Sequence, residues 1–230
     1  MEEPQAPLLT LGAPSGRSQT AHVFARETIR VAILNGQLKG GTRLVQSDLA
    51  SQLKVSTTPV REALRDLASE GMIRIDPHRG GVVCELDAND LNEVYEIRLQ
   101  LEPLVLKLAI VGMTEEALDH AAELHDAMNA APDSAAWVEL NRNFHMSLYQ
   151  MANRPRLLSL VRSLQDASVM AVSARLRRDP NQRRIANAEH GELLKALRNR
   201  DLETSIEIIH KHLTTSVRLE SAERTNTEAF

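Results

Sequence analysis

Between residues 56 and 73, "STTPVREALRDLASEGMI", apolar Val60, Leu64 and Leu67 recur at spacings of four and three, which puts them on one face of a helix. Pro59 suits the first helical turn, where its missing N–H costs nothing, and Gly71 marks the stop. Upstream, "SQTAHVFARETIRVAILNGQ" predicts a helix from Ser18 with Val23, Ile29, Ala32 and Ile33 as its apolar face, and "LKGG" breaks it. Ser47 is placed to cap a short helix, "DLASQLK", and a tight turn, "VS", leads into the 56–73 segment. Two short helices joined this way predict a helix-turn-helix. The alternation in "MIRIDPHRGGVVCEL" then predicts a hairpin that turns through Pro77, His78, Arg79, Gly80 and Gly81. Three helices and a hairpin with a basic tip make a winged helix.

From Asp87 onward the strand period disappears. Helical spacing predicts elements near 89–111, 114–130, 134–152, 155–178, 182–199 and 201–222, with short breaks at "GMT", "AAPDS", "NRP" and "RDPNQ". Connections this short between long helices predict an antiparallel bundle. The expected fold is mainly α: a winged helix-turn-helix over 18–86 and an all-α antiparallel bundle over 87–222. A disordered arm is expected over 1–17, where Pro, Gly and Ala abound without a period, and a flexible tail over 223–230.

Composition supports helix packed on helix. Aromatic residues make up only 3% of the 230 residues, so the cores must be built from Leu, Val, Ile and Ala. Cys84 is the single cysteine, which rules out an intramolecular disulfide. No apolar run approaches the roughly 20 residues of a membrane span, and the start of the chain lacks a signal-peptide pattern, so a cytoplasmic protein with no membrane partner is expected. The net charge of −4 hides an asymmetry. Residues 18–84 carry nine Lys/Arg against six Asp/Glu, and residues 85–230 carry seventeen against twenty-three. A basic head on an acidic body suggests two jobs in two domains.

For the basic head, the expected job is DNA binding. The N-terminus of a helix already favours an anion through its free N–H groups and dipole, and the helix over 56–73 opens with Thr57, Thr58 and Arg61. Arg65 is expected to pair with Glu62 or to face solvent.

The segment "LVQSDLASQLKVSTTPVREALRDLASEGMI", followed by "RGGVV", resembles the GntR family of bacterial transcription regulators. The stretches "VYEIRLQLEP", "NRNFHMSLYQMANRPRL" and "EHGELLKALRNRD" resemble the FCD ligand domain of its FadR-like branch, so the resemblance spans about residues 20–220. It implies a homodimer that binds a pseudo-palindromic double-stranded operator and changes its grip when a small molecule enters the bundle. In that register Arg61 is expected to contact a base or a phosphate, Ser47, Thr57 and Thr58 to position phosphates, and His78 and Arg79 to reach the minor groove from the wing. Ser47 and Thr57 stand where family members often carry arginine.

The acidic body carries the second set of candidates. Asn141 and His145 lie four apart, on one helix face beside Trp137, Leu140, Phe144 and Leu148. By spacing alone His145, His190 and His212 read as ordinary helix-face residues. The family register instead implies that Asn141, His145, His190 and His212 hold a divalent metal ion such as Zn²⁺ or Ni²⁺. On the last helix the apolar stripe Leu202, Ile206, Ile209 and Leu213 favours His210, whereas the resemblance favours His212. Asn141 stands where metal-binding members have aspartate, leaving the site one charge more positive. Arg98 matches a family arginine that points toward the ligand cavity and could hold a carboxylate effector in bidentate fashion, with a salt bridge to Glu102 as its alternative. Arg175, Arg177, Arg178, Arg183 and Arg184 are expected to form a solvated rim.

The expected protein is therefore a DNA-binding transcription regulator, a repressor in the first instance, controlled by a small carboxylate. One rival is a metal-dependent enzyme with an accessory DNA-binding domain; against it, the chain has no HExxH motif and no acid placed beside these histidines as an obvious general base. A DNA-compacting protein without a ligand is the other, and a large acidic domain with buried polar groups would be costly for it.

Overall fold

A computed structural model describes residues 20–76, 80–84 and 88–227, with side chains described as far as Ser216. The chain divides into two compact units, one on either side of the Leu86–Asp87 bond.

The first unit contains α1 (Ala21–Leu34), β1 (Arg43–Leu44), α2 (Gln46–Leu53), α3 (Thr57–Ser69), β2 (Ile73–Asp76) and β3 (Gly80–Val83). The Thr20 hydroxyl caps α1 by accepting from the Val23 N–H. Ile29, Ala32, Ile33 and Leu34 are buried against α3, whereas Val23 is 38% exposed and lies off the apolar face expected for it. Val60, Leu64 and Leu67 of α3 are buried as their spacing requires. Gly71 sits at φ +73°, in the left-handed region that glycine adopts without a Cβ penalty, and so releases the chain from α3 into β2. The hairpin β2–β3 is joined by β1 in a three-stranded antiparallel sheet of order β1-β3-β2, with Arg43 opposite Val82 and Ile73 opposite Val83. A two-residue strand has no periodicity to reveal it, and β1 was absent from the sequence expectation. The cap expected from Ser47 also differs: α2 starts at Gln46 behind Val45, and the Ser47 hydroxyl donates to the neighbouring Asp48 carboxylate instead. Pro77, His78 and Arg79 lie outside the described residues.

The second unit is helical throughout its described residues: α4 (Ala88–Gly112), α5 (Glu115–Asn129), α6 (Ser134–Tyr149) continued by a 3₁₀ turn at Gln150–Ala152, α7 (Pro155–Arg178), α8 (Asn181–Arg198) and α9 (Leu202–Thr227). Thr114 and Asp133 cap α5 and α6 with their side-chain oxygens, and Pro155 opens α7 where a proline is tolerated. Helices α5 and α6 pack together, as do α4 and α9, α4 and α7, and α8 and α9. The centre is filled by Trp137, Phe144, Tyr149, Leu106 and Leu118, all fully buried. Among the described residues no helix is long and apolar enough to cross a membrane.

Candidate functional site

On the first unit, Thr57, Thr58 and Arg61 are exposed on the opening turns of α3, with Val60, Leu64 and Leu67 anchoring the helix from its other side. Ser47 is exposed near the start of α2, and Arg65 is exposed one turn beyond Arg61. A helix fixed by its apolar face thus presents a free N-terminus, two hydroxyls and a guanidinium to solvent, a combination suited to phosphate and base edges.

On the second unit, three helices bring three histidines to one point. His145 comes from α6, His190 from α8 and His212 from α9. All three are buried, and each offers a ring nitrogen within 4.8 Å of the others. Nε2 of His190 lies 3.2 Å from Nε2 of His145. Burial pushes both of these imidazoles well below the ordinary histidine range, and the neighbouring His212 adds to the effect on each, so both are neutral near pH 7. Their Nδ1 atoms are buried without a partner. His212 differs in that its Nδ1 lies 2.9 Å from the Glu189 carboxylate, which fixes the ring and turns Nε2 away from Glu189. Burial raises the Glu189 carboxyl, but the hydrogen bond and charge of His212, helped by Lys211, outweigh that and hold it below the usual range. His210 is exposed, whereas His212 is buried with His145 and His190.

Beside the cluster lies a cleft lined by His212, Asn141, Arg98, Gln165 and Arg175, with Tyr95 and Trp137 among its walls. Its empty space is about 460 Å³ with the open mouth included. Asn141 shares this cleft with His212, and its Oδ1 is buried without a hydrogen-bond partner.

Arg98 forms the salt bridge to Glu102 and also lines the cleft. Its Nε donates to Glu102 at 2.6 Å and a terminal nitrogen donates to Ser168 at 2.8 Å, while the residue still lines the cleft. Glu102 is fully buried and accepts a further hydrogen bond, 2.7 Å, from the Tyr149 hydroxyl. Burial and the Glu102 charge push the Tyr149 phenol well above its ordinary value, so it remains a donor.

The arginine run does not behave as one rim. Arg177 and Arg178 are exposed, Arg183 donates to the Ser134 hydroxyl at 2.9 Å, and Arg175 turns into the cleft with its Nε buried and unpartnered. Sequence reasoning also missed Gln165, Ser168 and Glu189. In each case the signal available was a polar residue on a helix, with nothing to say that it is buried.

The three histidines fit a metal ion. Tetrahedral nitrogen ligands about 2.0–2.1 Å from a zinc ion stand roughly 3.3–3.4 Å apart, close to the separation of His145 and His190. The neutral form of His145 and His190 is also the state that binds metal.

Comparison with known proteins places this architecture. Residues 22–83 match the model for bacterial regulatory proteins of the gntR family, and residues 93–215 match the FCD domain. The chain belongs to the GntR family, in the branch that carries an FCD domain. It is 31% identical over 142 residues to an uncharacterised HTH-type transcriptional regulator, YdhC, of Bacillus subtilis, covering 60% of this chain and 63% of that protein. It is 34% identical over 132 residues to the HTH-type transcriptional regulator McbR of Escherichia coli, covering 56% of this chain and 60% of McbR. The solved structure of McbR aligns with 90% of this chain and 99% of its own, with a TM-score of 0.74 and 26% identity. A gluconate operon transcriptional repressor of Bacillus licheniformis is 25% identical over 191 residues, 80% of this chain and 78% of that one. The family and these relatives are transcription regulators rather than enzymes.

Proposed function

We propose that this chain is a DNA-binding transcription regulator, acting as a repressor, whose grip on a pseudo-palindromic operator is set by a small carboxylate held in the helical unit. The observation that carries the DNA reading is the exposed start of α3, where Thr57, Thr58 and Arg61 stand opposite a fully buried apolar face. Arg61 contacts a base or a phosphate, Ser47, Thr57 and Thr58 position phosphates, and His78 and Arg79 supply the wing contact. Repression is supported by the kind of relative the chain has, one of which is named as an operon repressor.

The effector reading rests on the cleft. His145, His190 and His212, with the unpartnered Oδ1 of Asn141, would hold a divalent ion such as Zn²⁺ or Ni²⁺, which would supply a positive centre for a carboxylate. Glu189 orients His212, and Glu102 with Tyr149 orients Arg98 toward the same space.

A homodimer is supported by a stripe the single chain leaves uncovered. On α4, Val94, Ile97, Leu101, Leu104, Leu108 and Val111 recur at alternating spacings of three and four, the seam of a helix that packs on another helix. All six are exposed or half-buried, Val111 by 86% and Leu104 by 46%. The adjacent α7 adds Leu160, 57% exposed. An exposed apolar seam along α4 is suited to a second copy of itself about a two-fold axis.

The test is selection of binding sites from random duplex DNA, followed by anisotropy titration at fixed salt. Two half-sites about one helical turn apart, and release by a small carboxylate in the presence of zinc, are expected. Binding without sequence preference, or binding indifferent to every carboxylate and to metal, would overturn the proposal.

A further inference from the structure

We infer that Gln165 is a specificity-determining residue, and that the effector is a carboxylate carrying a second group that both donates and accepts a hydrogen bond, a hydroxyl or a primary amide. The inference deepens the effector reading above and rests on it. Gln165 lies in the middle of α7, is only 6% exposed, and faces the cleft. Both its Oε1 and its Nε2 are buried without a hydrogen-bond partner. A buried amide in this state is costly, and an apolar side chain of similar size would fit α7 without that cost. The residue makes sense if a bound molecule completes it.

The neighbouring groups narrow the class. Arg98 and Arg175 reach the same cleft as cations, so at least one acidic group is wanted there. Neither arginine can accept a hydrogen bond, and a simple carboxylate cannot donate one to Oε1 of Gln165. A carboxylate alone therefore leaves that oxygen unpaired, whereas a hydroxyl meets either atom of the amide and a primary amide meets both at once. The demand is separate from the metal, because the converging ring nitrogens of His145, His190 and His212 belong to α6, α8 and α9, whereas Gln165 is on α7.

The experiment uses three probes on one four-carbon scaffold, succinate, malate and succinamate, against the full-length wild type and Gln165→Leu, all loaded with zinc. Without a probe, Gln165→Leu should melt about 2–6 °C higher, since an unsatisfied buried amide has been removed. In the wild type, malate or succinamate should bind about tenfold more tightly than succinate, and the leucine variant should lose that preference. A lower melting temperature for the unliganded variant would show that the fold itself uses the amide, and would overturn the inference. Succinate binding the wild type as tightly as the other two would also overturn it while leaving the effector cleft standing. Failure of all three probes to bind refutes the inference as stated; if zinc also fails to stabilise the wild type, the effector reading falls with it.

Discussion

Acid should destabilise the helical unit through His145 and His190. Burial, His212 and, for His145, the charge of Arg98 hold both imidazoles well below the ordinary value of about 6.5 that they regain on unfolding. The folded value is depressed, so below pH 6.5 the unfolded chain binds more protons and stability falls as pH drops; above 6.5 the stability is fully present. One pH unit below the unfolded value each ring costs about 1.4 kcal/mol, so the pair costs about 3 kcal/mol between pH 7.5 and 5.5. For a domain of this size that is a fall of roughly 6–12 °C in melting temperature. The assay is calorimetry across that range with a chelator present, so that loss of metal does not contribute, on the wild type, His145→Leu and His190→Leu. Each variant should lose about half of the pH dependence. A melting temperature that is flat from pH 7.5 to 5.5, or a slope unchanged in both variants, would refute the reasoning that these rings are buried and neutral.

Other perturbations follow from named contacts. Glu102→Gln leaves the buried Arg98 guanidinium without its counter-charge and should cost about 3–5 kcal/mol by denaturant titration; a loss below about 1 kcal/mol would mean that Arg98 is solvated. Leu104→Glu puts a charge in the proposed α4 seam and should shift the protein from dimer to monomer in light scattering without lowering its helix content. A dimer that persists unchanged would move the interface elsewhere. Asn141→Asp should tighten zinc binding, read by competition with a chromophoric chelator, because it adds an anionic ligand beside the histidines; unchanged affinity would place Asn141 outside the coordination sphere. Arg61→Ala should weaken operator binding by about 1–3 kcal/mol, and unchanged affinity would remove it from the interface.

The parts of this fold that were legible in the sequence are those where one periodicity operates alone. Helix α3 buries a single stripe, Val60, Leu64 and Leu67, so both its apolar side and its exposed start could be read from spacing. Helix α9 shows where that fails. Its buried residues include Ser205, Ile208, Ile209, His212, Leu213 and Ser216, an arc wider than one apolar stripe. The small serines conceal the side that faces the cleft, so periodicity favoured the exposed His210, and only the family register pointed to His212. Helix α7 is harder still, because Gln165, Ser168 and Ser173 look like solvent-facing residues and are all buried. Their burial comes from neighbouring helices, and a local pattern carries no record of that. Arg98 was readable as either a ligand contact or a salt bridge because i,i+4 spacing permits the pair with Glu102. The packing gives it the salt bridge and leaves it at the cleft as well.

The central claim is that one chain couples DNA to a ligand cleft, and its most direct measurement is operator affinity by fluorescence anisotropy at fixed salt, with zinc and a binding carboxylate present or absent. Sequence-specific binding by the wild type should weaken by about tenfold or more when the carboxylate is added. In His190→Ala the same operator should be bound with little response to the carboxylate. An operator affinity that the carboxylate shifts equally in the wild type and in His190→Ala, or that it never shifts, would contradict the account.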